Sequence, residues 1–139
     1  MPASKITCLL IDDDVEDQEI FALALRSVNP DIACIAYSEG SQAIEMLQSE
    51  PGFKPDFIFV DVSMPRMGGI ECLAEIRRIT WLSNVPVYLY STYADPMTRR
   101  LAKEFGAIDI MIKANTMADL RLMLQGVINS QCGPHMKAS

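Results

Sequence analysis

The 139-residue chain holds a single histidine, a single tryptophan and only four cysteines. Cys8, Cys34, Cys72 and Cys132 contain no C-x-x-C pair, so the chain lacks the spacing of a zinc ribbon or a dithiol redox centre. Three of them lie in apolar stretches and read as buried free thiols. His135 stands near the end of the chain and reads as a solvated side chain rather than a ligand. No apolar segment approaches the length that spans a bilayer. The first, Ile6 to Ile11, is stopped by Asp12, too short and wrongly flanked for a signal peptide. Lys and Arg number 12 against 18 Asp and Glu, a net charge of −6, which argues against the basic footprint of a nucleic-acid binder. There is also no Pro- or Ser-rich linker, no internal repeat and no further periodic block after about Ile128. The expectation is therefore one domain over residues 1–130 and a flexible tail over 131–139, with no effector domain attached. A soluble cytoplasmic protein that touches neither nucleic acid nor membrane directly is expected.

What the chain does have is apolar content, 50% of its residues, arranged in short blocks. Ile6 to Ile11, Phe57 to Val60, Val85 to Tyr90 and Ile108 to Ile112 are nearly continuous runs, the pattern of strands covered on both faces. Asp31 to Tyr37 is a weaker fifth strand, suited to an edge. Helical spacing fills the intervals: Phe21, Leu25 and Val28 in the first, behind Asp14, Glu16 and Asp17 as cap and first-turn acids. Ile44 and Leu47 mark the second, from about Ser41 to Ser49, and Ile70, Leu73 and Ile76 the third, after Gly68 and Gly69. The fourth opens on Asp95 as cap with Pro96 at the first position, carries Met97, Leu101 and Phe105 as its apolar stripe, and stops at Gly106. Thr116 and Asp119 form a capping-box-like pair ahead of Leu120, Met123, Leu124 and Val127. Strict βα alternation predicts an α/β fold, a three-layer αβα sandwich around a five-stranded parallel sheet with right-handed crossovers.

In an open parallel sheet, ligands bind beyond the carboxyl ends of the strands. The first strand ends in Asp12, Asp13 and Asp14, the third in Asp61, the fourth in Ser91 and Thr92, and the fifth in Lys113. Two carboxylates about 4 Å apart repel by roughly 4 kcal/mol at an effective dielectric near 20. If Asp12, Asp13 and Asp61 converge, Lys113 offsets one of their charges and a divalent cation the other two. Oxygen donors alone favour Mg²⁺. A carboxylate in such a site can attack phosphorus and form an aspartyl phosphate, with Lys113 and Ser91 placed to meet the equatorial oxygens. Taken singly, Asp13 or Asp14 reads as a helix cap, and Asp61, Ser91 and Lys113 as solvated surface; their joint placement on one edge is the signal.

These residues closely resemble the response-regulator receiver family over about Ile6 to Ile128. The resemblance is carried by Asp12-Asp13 after Leu9-Leu10-Ile11, by Asp61-Val62-Ser63-Met64-Pro65-Arg66-Met67-Gly68-Gly69, by Ser91 after Val87-Tyr88-Leu89-Tyr90, and by Lys113. It implies a doubly wound, flavodoxin-like strand order 2-1-3-4-5. It implies Asp61 as phosphoacceptor, Asp13 binding Mg²⁺ directly, Asp12 mostly through water, the backbone carbonyl of Ser63 as a further ligand, and Lys113 on the phosphoryl group. Met64, Pro65 and the glycines would shape the loop into the third helix, which a plain turn also allows.

Three positions depart from the family pattern. Ala114 follows Lys113 where the family usually has a cis proline, and a trans bond is expected because cis without proline costs about 3–4 kcal/mol. Ile110 replaces the usual Tyr or Phe that turns inward on phosphorylation, so rotation there cannot carry the usual signal. Tyr93 and Tyr90 are the nearby aromatic substitutes, though each also reads as simply packed or partly exposed. Thr92 stands where small residues are usual and would narrow access to the phosphate.

The resemblance implies a two-component switch. A histidine kinase or histidine phosphotransfer protein would donate to Asp61, and output would pass to another protein through the fourth helix, fifth strand and fifth helix, near Arg99, Arg100, Lys103 and Ile110. It would be a signalling domain rather than an enzyme, beyond catalysing its own phosphorylation and dephosphorylation. A haloacid-dehalogenase-like phosphatase would need D-x-D-x-T on the first strand and a later acidic pair, but position 16 is Glu and only Asp119 follows Lys113. A phosphorylation-independent receiver-like interaction module is the other alternative; the intact site argues against it, and Ile110 and Ala114 argue mildly for it.

Overall fold

The structure, a computed structural model, describes residues 6–132. His135 and the tail from residue 133 lie outside the described residues. Five strands, β1 (Ile6–Ile11), β2 (Ile32–Tyr37), β3 (Phe57–Asp61), β4 (Val87–Ser91) and β5 (Asp109–Ile112), alternate with five helices. These are α1 (Val15–Val28), α2 (Gly40–Ser49), α3 (Gly69–Arg78), α4 (Pro96–Glu104) and α5 (Met117–Cys132). The sheet is parallel in the order β2-β1-β3-β4-β5, as expected. Helix α5 continues to Cys132, two residues past the expected domain end.

Alternation along each strand builds two apolar layers. On β1, Leu9 and Ile11 join Ile44, Leu47, Leu73 and Ile76 of α2 and α3, while Cys8 and Leu10 join Phe21, Leu25, Leu124 and Val127 of α1 and α5. Phe59 anchors the second layer, edge-on to Phe21 at 5.1 Å and stacked on Tyr88 at 5.2 Å. Strands β3 and β4 are buried throughout, so their last residues, Asp61 and Ser91, are held at the sheet's edge by a dry and rigid base. Burial of these apolar side chains is the main stabilising contribution, about 25 cal/mol per Å² removed from water.

Several local expectations shift. Strand β4 starts at Val87 rather than Val85, because Pro86 cannot donate to the ladder. A 3₁₀ turn at Thr80–Leu82 was not legible. The predicted stripe of α4 is corrected: Ala102 is its buried residue, while Met97 and Phe105 are exposed. Helix α4 packs against β5 at the end of the sheet, where the small Ala102 permits close approach.

Candidate functional site

The first turn after β1 divides its three aspartates between two tasks. The Asp12 N–H closes the ladder on the Tyr37 carbonyl at 3.0 Å, and its Oδ1 then accepts from the Asp14 N–H at 3.0 Å. Asp14 is the N-cap of α1, accepting from the N–H groups of Glu16 and Asp17. The capping role thus falls on Asp14 and leaves Asp12 and Asp13 for the site. Gln18, one turn on, donates to the Asp12 carbonyl at 2.7 Å and to Ser38 at 3.0 Å, tying α1 to the ends of β1 and β2.

Asp61 ends β3 beside Tyr90 of β4. Its Oδ1 accepts from the Ser63 N–H at 3.2 Å, and Oδ2 faces the Lys113 ammonium at 3.6 Å. The chain then turns through Arg66, which has a left-handed φ of 65°, and enters α3 at Gly69. A Cβ on Gly69 would stand 2.5 Å from the Asp61 carbonyl oxygen and 2.6 Å from the Val62 Cα, whereas one on Gly68 would meet nothing closer than 3.7 Å. Of the two glycines, Gly69 is the one the loop requires; Met64 plugs the loop into the core.

Lys113 follows β5, its N–H bonded to the Ser91 carbonyl at 2.7 Å. Its Nζ reaches Asp17 at 2.9 Å and Asp12 at 3.2 Å, and lies 5.3 Å from the centre of the Tyr90 ring. Asp12, Asp13, Asp61 and Lys113 are thus brought together as the sequence predicts. Ser91 ends β4 buried, and its hydroxyl donates to the Tyr93 carbonyl at 2.6 Å while accepting from the Tyr93 N–H. Ser63 is exposed in the β3–α3 loop. Sequence reasoning missed Asp17: it was read as a first-turn acid of α1, yet it is the nearest carboxylate to Lys113. It stands in the first turn of α1, and spacing along a helix not yet docked cannot say which way that turn faces.

The electrostatics follow from burial. Asp12 is 0% and Asp61 5% exposed. Burial pushes the Asp61 carboxyl up to about 6, with Asp12 and Asp13 adding to the rise and the Ser63 N–H and Lys113 opposing it. Burial likewise raises Asp12 against the Asp14 N–H and Lys113. Burial alone would lower Lys113, but the bond to Asp17 and the charges of Asp12 and Asp61 outweigh it and hold the ammonium above its ordinary value. One carboxylate oxygen each from Asp12, Asp13 and Asp61 lie within 4.8 Å of one another. Opposite ligands of an octahedral Mg²⁺ stand about 4.1 Å apart, so this all-oxygen trio fits a small divalent cation with slight closure. Asp17 adds a fourth carboxylate that the charge count from sequence omitted, which strengthens the demand for a cation.

At the departing positions, no described peptide bond is cis, the Lys113–Ala114 bond included. Ile110 is buried in the layer formed with α2, α3 and α4. Tyr90 is packed in the opposite layer, and Tyr93 is exposed. No described helix is long and apolar enough to cross a membrane.

Known proteins match the chain in family and in fold. Residues 8–125 match the family model described as the response regulator receiver domain. The chain is 30% identical over 126 residues to the "Transcriptional regulatory protein CpxR homolog" of Haemophilus influenzae, covering 91% of this chain and 52% of that protein. It is 30% identical to the two-component response regulator ORR11 of Oryza sativa subsp. indica, covering 86% of this chain and 79% of that one. The chain spans about half the length of the first curated relatives it matches. Among solved structures, the phosphorylated cyanobacterial phytochrome response regulator RcpA superposes with a TM-score of 0.83 at 20% identity, covering 92% of this chain and 94% of that one. The Mn²⁺-bound form of response regulator Rcp1 superposes with a TM-score of 0.77 at 26% identity, over 89% and 92% of the two chains.

Proposed function

Because the chain belongs to the response-regulator receiver domain family, we propose that it is the phosphoacceptor switch of a two-component or phosphorelay system, phosphorylated on Asp61 in a Mg²⁺-dependent reaction. The observation that carries this reading is the convergence of Asp12, Asp13 and Asp61 with one largely buried ammonium, that of Lys113. An Asp61 oxygen attacks phosphorus in line, the P–N bond of a phosphohistidine on a kinase or phosphotransfer protein breaks, and the imidazole leaves with the bonding pair. Asp12, Asp13, Asp61 and the Ser63 carbonyl would hold Mg²⁺, which when bound supplies positive charge against the transferring group. The binding of Mn²⁺ by Rcp1 supports a divalent cation here.

The side chains have separable tasks. Asp61 must be ionised to attack, and Lys113 favours that form while standing close enough to take up a phosphoryl oxygen. Ser91 can donate to the phosphoryl group only by giving up the Tyr93 carbonyl, which loosens the turn leading into α4. That exchange would carry the signal where Ile110 replaces an aromatic side chain. Output then passes to another protein through α4, β5 and α5, in the cytoplasm, as a signalling event rather than turnover of a substrate. Incubation with acetyl phosphate and Mg²⁺, followed by intact mass, tests the reading. Wild type should gain one phosphoryl group and Asp61→Asn none; no gain by wild type, or equal gain by the variant, sinks it.

A further inference from the structure

Lys113 has three carboxylates within reach, and the nearest is not the phosphoacceptor. Its Nζ lies 2.9 Å from Asp17, 3.2 Å from Asp12 and 3.6 Å from Asp61. Asp12 and Asp61 each engage a backbone N–H through their other oxygen. Asp17 sits in the first turn of α1, its own N–H held at 3.3 Å by the capping Asp14, so the helix start fixes the point from which the carboxylate reaches across to β5. A cleft of about 260 Å³, lined by Asp17, Tyr90, Lys113 and Ala114 among others, opens beside the pair. The Asp17 side chain is 37% exposed and that of Lys113 14%, so the carboxylate can turn toward solvent more easily than the ammonium can.

We propose that Asp17 is the resting partner of Lys113, a positioning residue that holds the ammonium in the unphosphorylated protein and yields it when a phosphoryl group occupies Asp61. This rests on the phosphoacceptor reading given above. Phosphorylation replaces a monoanion by a group carrying nearly two charges, and that group competes for the same ammonium at short range. Lys113 shifts toward the phosphoryl group, and Asp17, left facing added negative charge, swings into the cleft. Asp17 therefore favours the unphosphorylated state and lowers the affinity of the site for a phosphoryl group. The first turn of α1 becomes a second element, besides the β4–α4 turn, that responds to the state of Asp61.

Titration of the metal-loaded protein with beryllium trifluoride, a phosphoryl mimic that needs no transfer step, tests this by calorimetry. Asp17→Asn should tighten binding about two- to fivefold, the scale of a partly exposed ion pair, while Asp17→Glu stays near wild type. In a Lys113→Met background the gain from Asp17→Asn should fall to less than half. In metal-free protein, Asp17→Asn should also shift the ¹⁵N signal of the Lys113 ammonium, which keeps the test open if the methionine variant does not fold. Unchanged or weaker binding by Asp17→Asn, an equal gain without Lys113, or an unmoved ammonium signal overturns the proposal. Wild type that neither binds the trifluoride nor gains a phosphoryl group overturns the phosphoacceptor reading instead.

Discussion

The carboxyl end of the sheet and the face formed by α4, β5 and α5 are built to opposite specifications. At the first, Asp12, Asp61 and Ser91 are buried and each has a hydrogen-bond partner from a neighbouring backbone group. At the second, Phe105, Ile108, Ile112 and Leu122 are apolar and exposed, and among the described residues β5 is an edge strand paired with β4 alone. The proposed phosphoryl transfer would depend on distances good to a fraction of an ångström, and the residues it would use are fixed from several elements at once. The proposed output through this face would need apolar area left uncovered, and the sheet ends there.

The strongest way to break the first region is through its backbone rather than its carboxylates. Gly69→Ala would place a methyl group 2.5 Å from the Asp61 carbonyl oxygen. Backbone must shift, at a cost of about 3 kcal/mol or more, and the displaced Asp61 should accept phosphoryl groups more slowly. Gly68→Ala, whose Cβ would make only an ordinary contact with the Val62 carbonyl oxygen at 3.7 Å, should change stability by less than about 0.5 kcal/mol. Urea midpoints of the two variants measure the contrast, and similar midpoints would mean that the loop is not anchored by the close approach at Gly69.

Burial of charge gives the next effect. With a folded value of about 6 against an ordinary 3.8, Asp61 binds its proton more tightly in the folded chain than in the unfolded one. Its contribution to stability is fully present below about pH 4 and is lost as the pH rises through about 6. Lys113 stays charged in both states across this window and adds no slope. In metal-free buffer, Asp61→Asn should therefore be more stable than wild type by on the order of 2 kcal/mol near pH 7.5, with the advantage vanishing near pH 4. Denaturation across that range checks the sign, and an advantage that persists at pH 4 would place its cause elsewhere than in the charge.

The same contrast explains what the sequence made legible. Asp12, Asp13, Asp61 and Lys113 each follow directly from a strand end, and a parallel sheet brings strand ends together, so order along the chain was enough to locate them. Asp17 was not legible because its contact with Lys113 depends on how α1 is rotated over the sheet, which the docking of Phe21 and Leu25 decides. The α4 stripe failed for a related reason. Met97, Leu101 and Phe105 have helical spacing, but periodicity identifies an apolar face without saying whether the sheet extends far enough to cover it. Ala102, too small to stand out in a hydrophobic pattern, is what the sheet edge accepts.

The smallest effect expected on the protein alone is the one that sharpens the second region most. Phe105 follows α4 exposed, bonded to the helix through its backbone N–H to the Leu101 carbonyl at 2.9 Å, so Phe105→Ser removes apolar surface without removing a core contact or a backbone bond. Stability should change by less than about 0.5 kcal/mol, and phosphoryl gain at Asp61 should match wild type in rate and extent. If α4, β5 and α5 form the output face, the same substitution should weaken binding of the phosphorylated protein to its partner. Loss of an apolar contact at the centre of an interface costs about 1–2 kcal/mol, close to a tenfold weaker affinity. A variant that phosphorylates normally and binds its partner as wild type does would place the output surface away from this end of α4.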